Sequence, residues 1–341
     1  MEKSFLNNIT WKKIMWFWII LTCTTLFIIY AILNRDPSKL LLNHLESKYN
    51  KEFVIVYDGE RSDGISSWYE AEIYPKEFIG TAREYDKYYW AKGFVEAGEV
   101  GDTYGQVLLK ESANKFYLSK LEELFGKNVL PVIEIDDKFC KFTDFEKELE
   151  DLKKINAPMP ISGGIYIFGR VENDEDREKY REEIYKFLSF MKETGTFEYV
   201  DLAFYILDER ILTKGFEEVK PLLVEKIKKC NNSQEFIEYR EKILSQLNDE
   251  YNKMTSKEKQ EKINNYSKSS ISDFNNDAYT GYCTLYHTTL WSKKFLENES
   301  RLSMYKKLDY DSKKDIKLYN TIKIIFEEYD EKKLYNNEWG D

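Results

Sequence analysis

Three acidic residues follow directly on an apolar stretch in the first half of the chain. Glu134, Asp136 and Asp137 lie at and just after the sequence VLPVIEI over 129–135, which has the composition of a buried strand. Binding and catalytic residues tend to collect at the carboxyl ends of strands in α/β sheets. Carboxylates there could bind a divalent cation or act as a general acid. The alternative is a solvated junction between strand and loop, which a chain with 61 acidic residues also produces by chance.

A second candidate site is a short run of aromatic residues. Its members are Tyr85, Tyr88, Tyr89, Trp90 and Phe94. Rings at this density could stack on a sugar or form the centre of a protein-binding surface. Because side chains alternate between the two faces of a strand, core packing is the alternative for about half of these rings.

The histidines and cysteines do not form a recognisable metal or nucleophile site. Cys283 and His287 have a C-x3-H spacing, but a structural zinc ion needs four ligands and the sequence supplies no second pair. His44 has no partner at ligand spacing. Cys140, Cys230 and Cys283 could form at most one disulfide bond. We therefore expect no bound metal and no cofactor.

Common nucleotide-binding and catalytic motifs are also missing. Gly163 and Gly164 precede a predicted strand, whereas a phosphate-binding glycine loop leads from a strand into a helix. Neither a G-x-S-x-G nor an H-E-x-x-H motif occurs. The sequence gives no positive indication of an enzyme.

Residues 34–229 alternate between strand and helix patterns and predict an α+β domain. The stretches FVIVY (53–57) and WYEAEIY (68–74) predict two neighbouring antiparallel strands. The order strand, helix, strand around residues 165–207 permits a right-handed parallel crossover. We expect a mixed, mostly antiparallel sheet covered by helices.

The last part of the chain, residues 230–341, is predicted to be mainly helical. No proline follows Pro221, and the last 120 residues hold only two glycines, Gly281 and Gly340. Because proline and glycine are the strongest helix breakers, their scarcity favours helix. A polar stretch rich in Ser, Asn and Lys over 253–280 predicts a linker or a polar helix with a loop.

An uncharged apolar run lies near the N-terminus. It extends from Ile14 to Leu33, and a helix of that length rises about 30 Å, the thickness of the hydrocarbon core of a bilayer. The sequence predicts a short cytoplasmic tail over 1–13 and a single transmembrane helix, a signal-anchor, over 14–33. The alternative is a cleaved signal peptide, but its apolar region usually extends over only about 7–15 residues.

The charges that flank this run predict its orientation. Lys3, Lys12 and Lys13 precede it, whereas Arg35 and Lys39 follow it beside an aspartate. The positive-inside rule therefore places the N-terminus in the cytoplasm and the large C-terminal part outside the membrane.

The composition excludes several classes of protein. With a net charge of −10, the chain is a poor non-specific nucleic-acid binder. At 42% hydrophobic residues it has ample material for a core, so wholesale disorder is excluded. A Lys-, Asn-, Ile- and Tyr-rich composition with only six prolines is typical of AT-rich bacterial genomes.

Three functions follow from these features. The sequence favours a membrane-anchored extracytoplasmic binding or accessory protein, a cell-surface or immunity-type module that meets a protein partner at the membrane or envelope. One alternative is an anchored envelope hydrolase that uses carboxylates. Another is a carbohydrate- or peptide-binding module that uses the aromatic run.

Overall fold

The computed structural model describes most of the chain and divides it into two compact units. The described residues are 11, 13–25, 36–135, 141–157, 159–214, 218–219, 221–223, 233–271, 283–292 and 322–325. Unit 1 comprises Met1–Ile79 and Trp90–Tyr104, and unit 2 comprises Gly80–Tyr89 and Gly105–Asp341. Each unit has its own sheet.

The described part of unit 1 contains the N-terminal helical segment 13–25, the helix α1 and a four-stranded antiparallel sheet with the strand order β1-β2-β3-β4. The elements are α1 (Pro37–Tyr49), β1 (Phe53–Ser62), β2 (Ser67–Pro75), β3 (Ala91–Glu96) and β4 (Glu99–Asp102). The side chain of Asp36 accepts a hydrogen bond from the Ser38 N–H and so caps the start of α1. Asn50 ends this helix in the left-handed conformation.

Helix α1 packs closely on the sheet of unit 1. Leu41 and Leu45 lie on one face of α1 and are fully buried. A Cβ atom at Gly93 would lie 2.5 Å from a methyl group of Leu41, so the absence of a side chain allows the helix to approach β3.

Unit 2 contains a five-stranded mixed sheet with the order β5-β6-β7-β8-β9. The strands are β5 (Val129–Ile135), β6 (Pro160–Gly169), β7 (Tyr199–Asp208), β8 (Thr284–Trp291) and β9 (Ile322–Ile325). The pairs β6–β7 and β8–β9 are parallel, and the pairs β5–β6 and β7–β8 are antiparallel.

The helices of unit 2 supply most of its core together with the strands. They are α2 (Tyr104–Phe125, whose first residue belongs to unit 1), α3 (Phe145–Lys154), α4 (Asp174–Thr194), α5 (Ser233–Ser245), α6 (Asn248–Lys253) and α7 (Ser256–Asn264). The connection between the parallel strands β6 and β7 is α4, and its Phe187 ring packs against Phe204 of β7 at 5.6 Å between centroids. Both of these rings are fully buried.

The α+β class with mixed strands and several helices is confirmed, but the expectation of a single sheet was wrong. The chain forms two sheets where a single sheet was predicted. The region 230–341 also contributes strand β8, which pairs with the central strand β7. Threonines and aromatic residues dominate β8, and their preference for strand outweighs the local scarcity of proline and glycine.

Gly163, which the sequence excluded from a phosphate-binding loop, lies inside β6. Its φ angle is +120°, and a Cβ atom there would lie 2.1 Å from the carbonyl oxygen of Val132. Only glycine combines this backbone conformation with such a close approach to β5.

The predicted span 14–33 is described only as far as residue 25, and residues 13–25 are helical. Within the described residues, no helix combines the length and the apolar character that crossing a membrane requires.

Candidate functional site

The structure describes one of the three residues of the predicted acidic site. Glu134 lies near the end of β5, and its carboxylate is 3.1 Å from the amine of Lys110 on α2. Asp136 and Asp137 lie outside the described residues. Among the described residues, no group of three His, Cys, Asp or Glu side chains is placed to hold a metal ion.

The predicted aromatic site is divided between the two units. Tyr85, Tyr88 and Tyr89 belong to unit 2, whereas Trp90 and Phe94 belong to unit 1. Tyr88 and Tyr89 are buried, with 5% and 7% of their surface exposed, whereas Tyr85 is 80% exposed. Core packing, the alternative for about half of these rings, therefore applies to Tyr88 and Tyr89.

The hydroxyl group of Tyr88 is tied to the edge of the unit 2 sheet. It donates a hydrogen bond to the carbonyl oxygen of Ile133 at 2.5 Å and accepts one from the Asn114 amide at 2.6 Å. The Asn114 side-chain oxygen in turn accepts from the Ile133 N–H at 3.2 Å. Burial raises the pKa of Tyr88, so its phenol remains neutral near pH 7.

Cationic side chains surround the rings of Tyr88 and Tyr89. The amines of Lys110 and Lys268 lie 4.3 and 4.8 Å from the centroid of the Tyr88 ring. The guanidinium of Arg83 lies 4.4 Å from the centroid of the Tyr89 ring. These distances are within the range of cation–π attraction. We call Arg83, Tyr88, Tyr89, Lys110 and Lys268 the tyrosine–cation site.

The cations of this site differ in their pairing. Arg83 lies 2.7 Å from a Glu111 oxygen, and Lys110 is paired with Glu134. Lys268, which is 8% exposed, places its amine over the rings of Tyr88 and Tyr89. Burial lowers the pKa of Lys268 to about 8. An amine with a pKa of about 8 is mostly protonated at pH 7, so a positive charge lies beside the rings.

A buried carboxylate fixes the backbone of Lys268 in this position. Asp86, which is 1% exposed, accepts hydrogen bonds from the N–H groups of Tyr88, Lys268 and Ser269 at 3.1, 2.6 and 3.0 Å. It also accepts from the Ser269 hydroxyl group. Four donors therefore occupy the Asp86 carboxylate, which joins the segment around residue 268 to the segment that carries both tyrosines.

The sequence contains no signal that would have identified Lys268. It lies in the polar stretch 253–280, which predicts a linker or a polar helix, and its partners precede it by about half of the chain. The alternation of aromatic residues indicated Tyr88 and Tyr89, but not the lysines above their rings.

A second polar cluster lies at the carboxyl ends of the parallel strands β6 and β7. Arg210 is 2% exposed and donates to both oxygens of Asp208, at 2.9 and 2.7 Å, and to both oxygens of Glu241, at 2.8 Å each. Arg170 lies 3.6 Å from Asp208. Hydrogen bonds from Arg210 lower the pKa of Glu241. Because its donors are used within the protein, Arg210 acts as a structural anchor rather than as a ligand-binding group.

In unit 1, three side chains of α1 converge on Asp102 at the end of β4. Its carboxylate accepts from the Tyr49 hydroxyl group at 2.7 Å and from the Lys48 amine at 2.8 Å. A ring nitrogen of His44 lies 3.3 Å away, and the N–H of Tyr104 donates at 3.0 Å. This cluster, which the sequence did not predict, ties α1 to the sheet.

The Asp102 cluster predicts a pH-dependent stability of unit 1. Burial alone raises the pKa of Asp102, but hydrogen bonds from Lys48 and Tyr49 outweigh burial and hold the pKa below its ordinary value. The stabilisation is therefore present above the unfolded pKa, about 3.9, and is lost as the pH falls through the folded pKa. We expect Asp102→Asn to destabilise unit 1 by about 1–3 kcal/mol near pH 7.

The difference in the free energy of unfolding between wild type and Asp102→Asn should shrink as the pH is lowered toward about 3. Amide hydrogen exchange of α1 and β4 across this pH range measures it, with each rate corrected for its intrinsic pH dependence. Lys48→Gln is the matched control, because the Lys48 side chain is 48% exposed and its loss should cost at most about 1 kcal/mol. If Asp102→Asn loses the same stability at all pH values, the ionised Asp102 carboxylate is not the source of the stabilisation.

Comparisons with known proteins provide no family for this chain. Neither a protein-family model nor a curated protein matches the sequence. Among solved structures, the crystal structure of a DUF5037 family protein from Ruminococcus gnavus is 18% identical, with a TM-score of 0.34. That alignment covers 54% of this chain and 79% of the other. A likeness of this degree carries no argument about function.

Proposed function

We propose that this chain is a membrane-anchored binding or accessory protein whose globular part lies outside the cytoplasmic membrane. The anchor is the apolar segment 14–33, and the partner is a protein met at the membrane or envelope. A single observation carries the proposal, namely the exposure of apolar side chains in the N-terminal helical segment.

The apolar side chains of that segment are exposed on all its sides. The large residues over 14–21 are each between 43% and 63% exposed, and these include Trp16, Phe17 and Trp18. Moving one such side chain from water into an apolar environment is favourable by about 1.5–3 kcal/mol. Soluble proteins rarely expose apolar surface of this extent, so the segment requires an apolar partner, which a lipid bilayer provides.

Hydroxyl groups in the segment are also compatible with lipid. Thr22, Thr24 and Thr25 donate hydrogen bonds to the carbonyl oxygens of Trp18, Ile20 and Leu21 at 2.7–2.9 Å. A hydroxyl group that bonds within its own helix has its polarity satisfied without water.

Specific observations weigh against the two alternatives. For an envelope hydrolase that uses Glu134, Asp136 or Asp137, the described candidate is Glu134, and its carboxylate is paired with Lys110. For a carbohydrate- or peptide-binding platform, the rings would have to be open to solvent, but two of the five, Tyr88 and Tyr89, are buried. Binding therefore remains the function that the described residues support best.

A cysteine introduced at Ile65 tests the proposed orientation. Ile65 is 97% exposed in the turn between β1 and β2, so Ile65→Cys presents a reactive thiol without disturbing the core. Of the native cysteines that the structure describes, Cys283 is buried, and Cys23 lies in the apolar segment. We expect a membrane-impermeant maleimide to label Ile65→Cys on intact cells well above the wild-type background.

The matched control for orientation is Ser4→Cys in the predicted cytoplasmic tail. It should react only after the cells are lysed. Labelling of Ile65→Cys only after lysis, with Ser4→Cys labelled beforehand, would place the globular part in the cytoplasm and overturn the proposed localisation.

A further inference from the structure

Helix α1 covers one face of the unit 1 sheet, and the opposite face carries exposed aromatic rings. A Cβ atom at Gly93 would meet the side chain of Leu41 on α1, so Gly93 is on the helix side of β3. Side chains alternate between the two faces of a strand, and the next residue, Phe94, is therefore on the side away from the helix. Phe94 is 42% exposed.

Two further rings share this side of the sheet. Tyr57 of β1 is directly opposite Glu72 of β2, and Glu72 is directly opposite Lys92 of β3, which alternates with Gly93. Trp68 is on the same side of β2 as Glu72 because an even number of positions separates them. Tyr57 is 65% exposed, and Trp68 is half-buried. We call this side of the sheet the outer face, with Tyr57, Trp68, Glu70, Phe94, Glu96 and Glu99 as its members.

The ring of Phe94 is held in place by the neighbouring strand. Phe94 is directly opposite Gly101 of β4, and a Cβ atom at Gly101 would clash with the ring. One side of the ring therefore packs on the bare backbone of Gly101, while part of it stays open to solvent. Because its orientation is already fixed, a partner that docks on this ring has little side-chain entropy to overcome.

Carboxylates surround the same ring. Glu70 is directly opposite Phe94 on β2, and its carboxylate lies 3.1 Å from the exposed amine of Lys92. Glu96 is on the same side of β3 as Phe94, and it is directly opposite Glu99 of β4. Both of these glutamates are exposed. Like charges that face each other across two strands destabilise a sheet, so a cation that contacts both carboxylates would relieve their repulsion.

The charge of unit 1 distinguishes between possible occupants of the outer face. Residues 36–79 and 90–104 contain twelve Asp and Glu residues against six Lys and Arg residues. A second copy of the chain would bring two negatively charged surfaces together, and anionic lipid headgroups would be repelled for the same reason. A positively charged partner is attracted, so charge complementarity favours it over both.

We propose that the outer face of unit 1 docks a protein segment that carries arginine or lysine side chains. The rings of Tyr57 and Phe94 would attract such cations through their faces, and Glu96 and Glu99 would accept charge-assisted hydrogen bonds from them. The inference rests on the proposed function, because it gives the chemistry of the protein partner proposed above.

Titration of the full-length chain with synthetic peptides in an uncharged detergent tests this surface. The probe is a peptide of alternating arginine and threonine, and its reference has glutamate at every arginine position. We expect calorimetry at low ionic strength to detect binding of the arginine peptide and not of the glutamate peptide. The double variant Glu96→Gln, Glu99→Gln should bind the arginine peptide about tenfold more weakly. Phe94→Leu keeps an apolar side chain on Gly101 but removes the aromatic face, and it should bind about threefold more weakly.

Matched variants on unit 2 separate this surface from general attraction to an acidic chain. Glu146 and Glu150 are exposed on α3, and Glu146→Gln with Glu150→Gln removes the same amount of charge. Tyr85 is 80% exposed, and Tyr85→Leu removes an exposed ring in the same way as Phe94→Leu. Both controls should bind the arginine peptide within about twofold of wild type. Amide hydrogen exchange of β3 and β4 establishes that the unit 1 variants are folded.

Several results would overturn the proposed surface. These are equal binding of the two peptides, no binding by wild type, or an equal loss for the two pairs of glutamate variants. A protein mass of two chains for wild type and of one chain for Phe94→Leu, measured by light scattering in detergent, would assign the face to a second copy instead. The peptide titration needs no membrane, so its failure is distinguishable from a failure of the anchor or of the orientation, which Ile65→Cys labelling and membrane extraction test.

Discussion

Replacing Arg210 by methionine should destabilise unit 2 by about 3–5 kcal/mol. Methionine fills much of the same space as arginine, so the main change is the loss of the positive charge and its hydrogen bonds. Asp208 is fully buried, and the described cation that would remain beside it is Arg170, at 3.6 Å. A carboxylate in the protein interior that loses its two hydrogen bonds from a guanidinium group is far more costly than the loss of an exposed ion pair. Amide hydrogen exchange of the central strands β6 and β7 measures the loss, because these amides exchange through global opening of the unit.

Two further variants separate the contribution of the buried Asp208–Arg210 ion pair from that of the exposed Glu241 carboxylate. The Glu241 side chain is 56% exposed, so Glu241→Gln should cost at most about 1 kcal/mol. The double variant Asp208→Asn with Arg210→Met should be less destabilised than Arg210→Met alone, because no buried charge is left without a partner. A cost below about 1 kcal/mol for Arg210→Met would show that the cluster is not the structural anchor described above.

Two arginines in the apolar segment should release the chain from the membrane. Leu21 and Thr25 lie near the middle of 14–33, one helical turn apart, and both are exposed. On insertion scales, each arginine at the centre of a span costs about 2.5–3.5 kcal/mol. We expect most of the Leu21→Arg, Thr25→Arg double variant to appear in the supernatant after membranes are washed with alkaline carbonate.

The matched control keeps the segment apolar. Leu21→Ile with Thr25→Val changes the same positions without adding charge, and it should sediment with the membranes as the wild type does. If the arginine variant stays in the pellet after the wash, attachment depends on something other than insertion of this segment.

The strands with clear local patterns could be predicted from the sequence. FVIVY and WYEAEIY lie in β1 and β2, which pair in antiparallel register, and the apolar stretch at 129–135 is β5. The alternation of apolar and polar residues and the turn residues that bound a strand act within a few positions, so a short stretch of sequence is enough to predict such a strand. Strand β8 was missed because the rarity of proline and glycine permits a helix but does not require one.

The candidate site could be predicted only in part, because its contacts join distant parts of the chain. The hydrogen bond from the Lys268 N–H to Asp86 spans 182 positions, and the bond from Tyr88 to Ile133 spans 45. The density of aromatic residues indicated Tyr88, and the position of Glu134 at the end of a predicted strand indicated Glu134. Neither pattern contains information about which lysine packs above which ring, since tertiary packing decides it.

Extraction of the unmodified chain from membranes is the most direct test of its anchoring. Full-length protein is expressed in bacteria, the membranes are collected, and separate samples are washed with high salt, alkaline carbonate or detergent. We expect the chain, with its N-terminal residues still present by mass spectrometry, to withstand salt and carbonate and to dissolve only in detergent. Recovery of the chain in the soluble fraction before any wash, or of a product lacking residues 1–33, would contradict the proposed anchor.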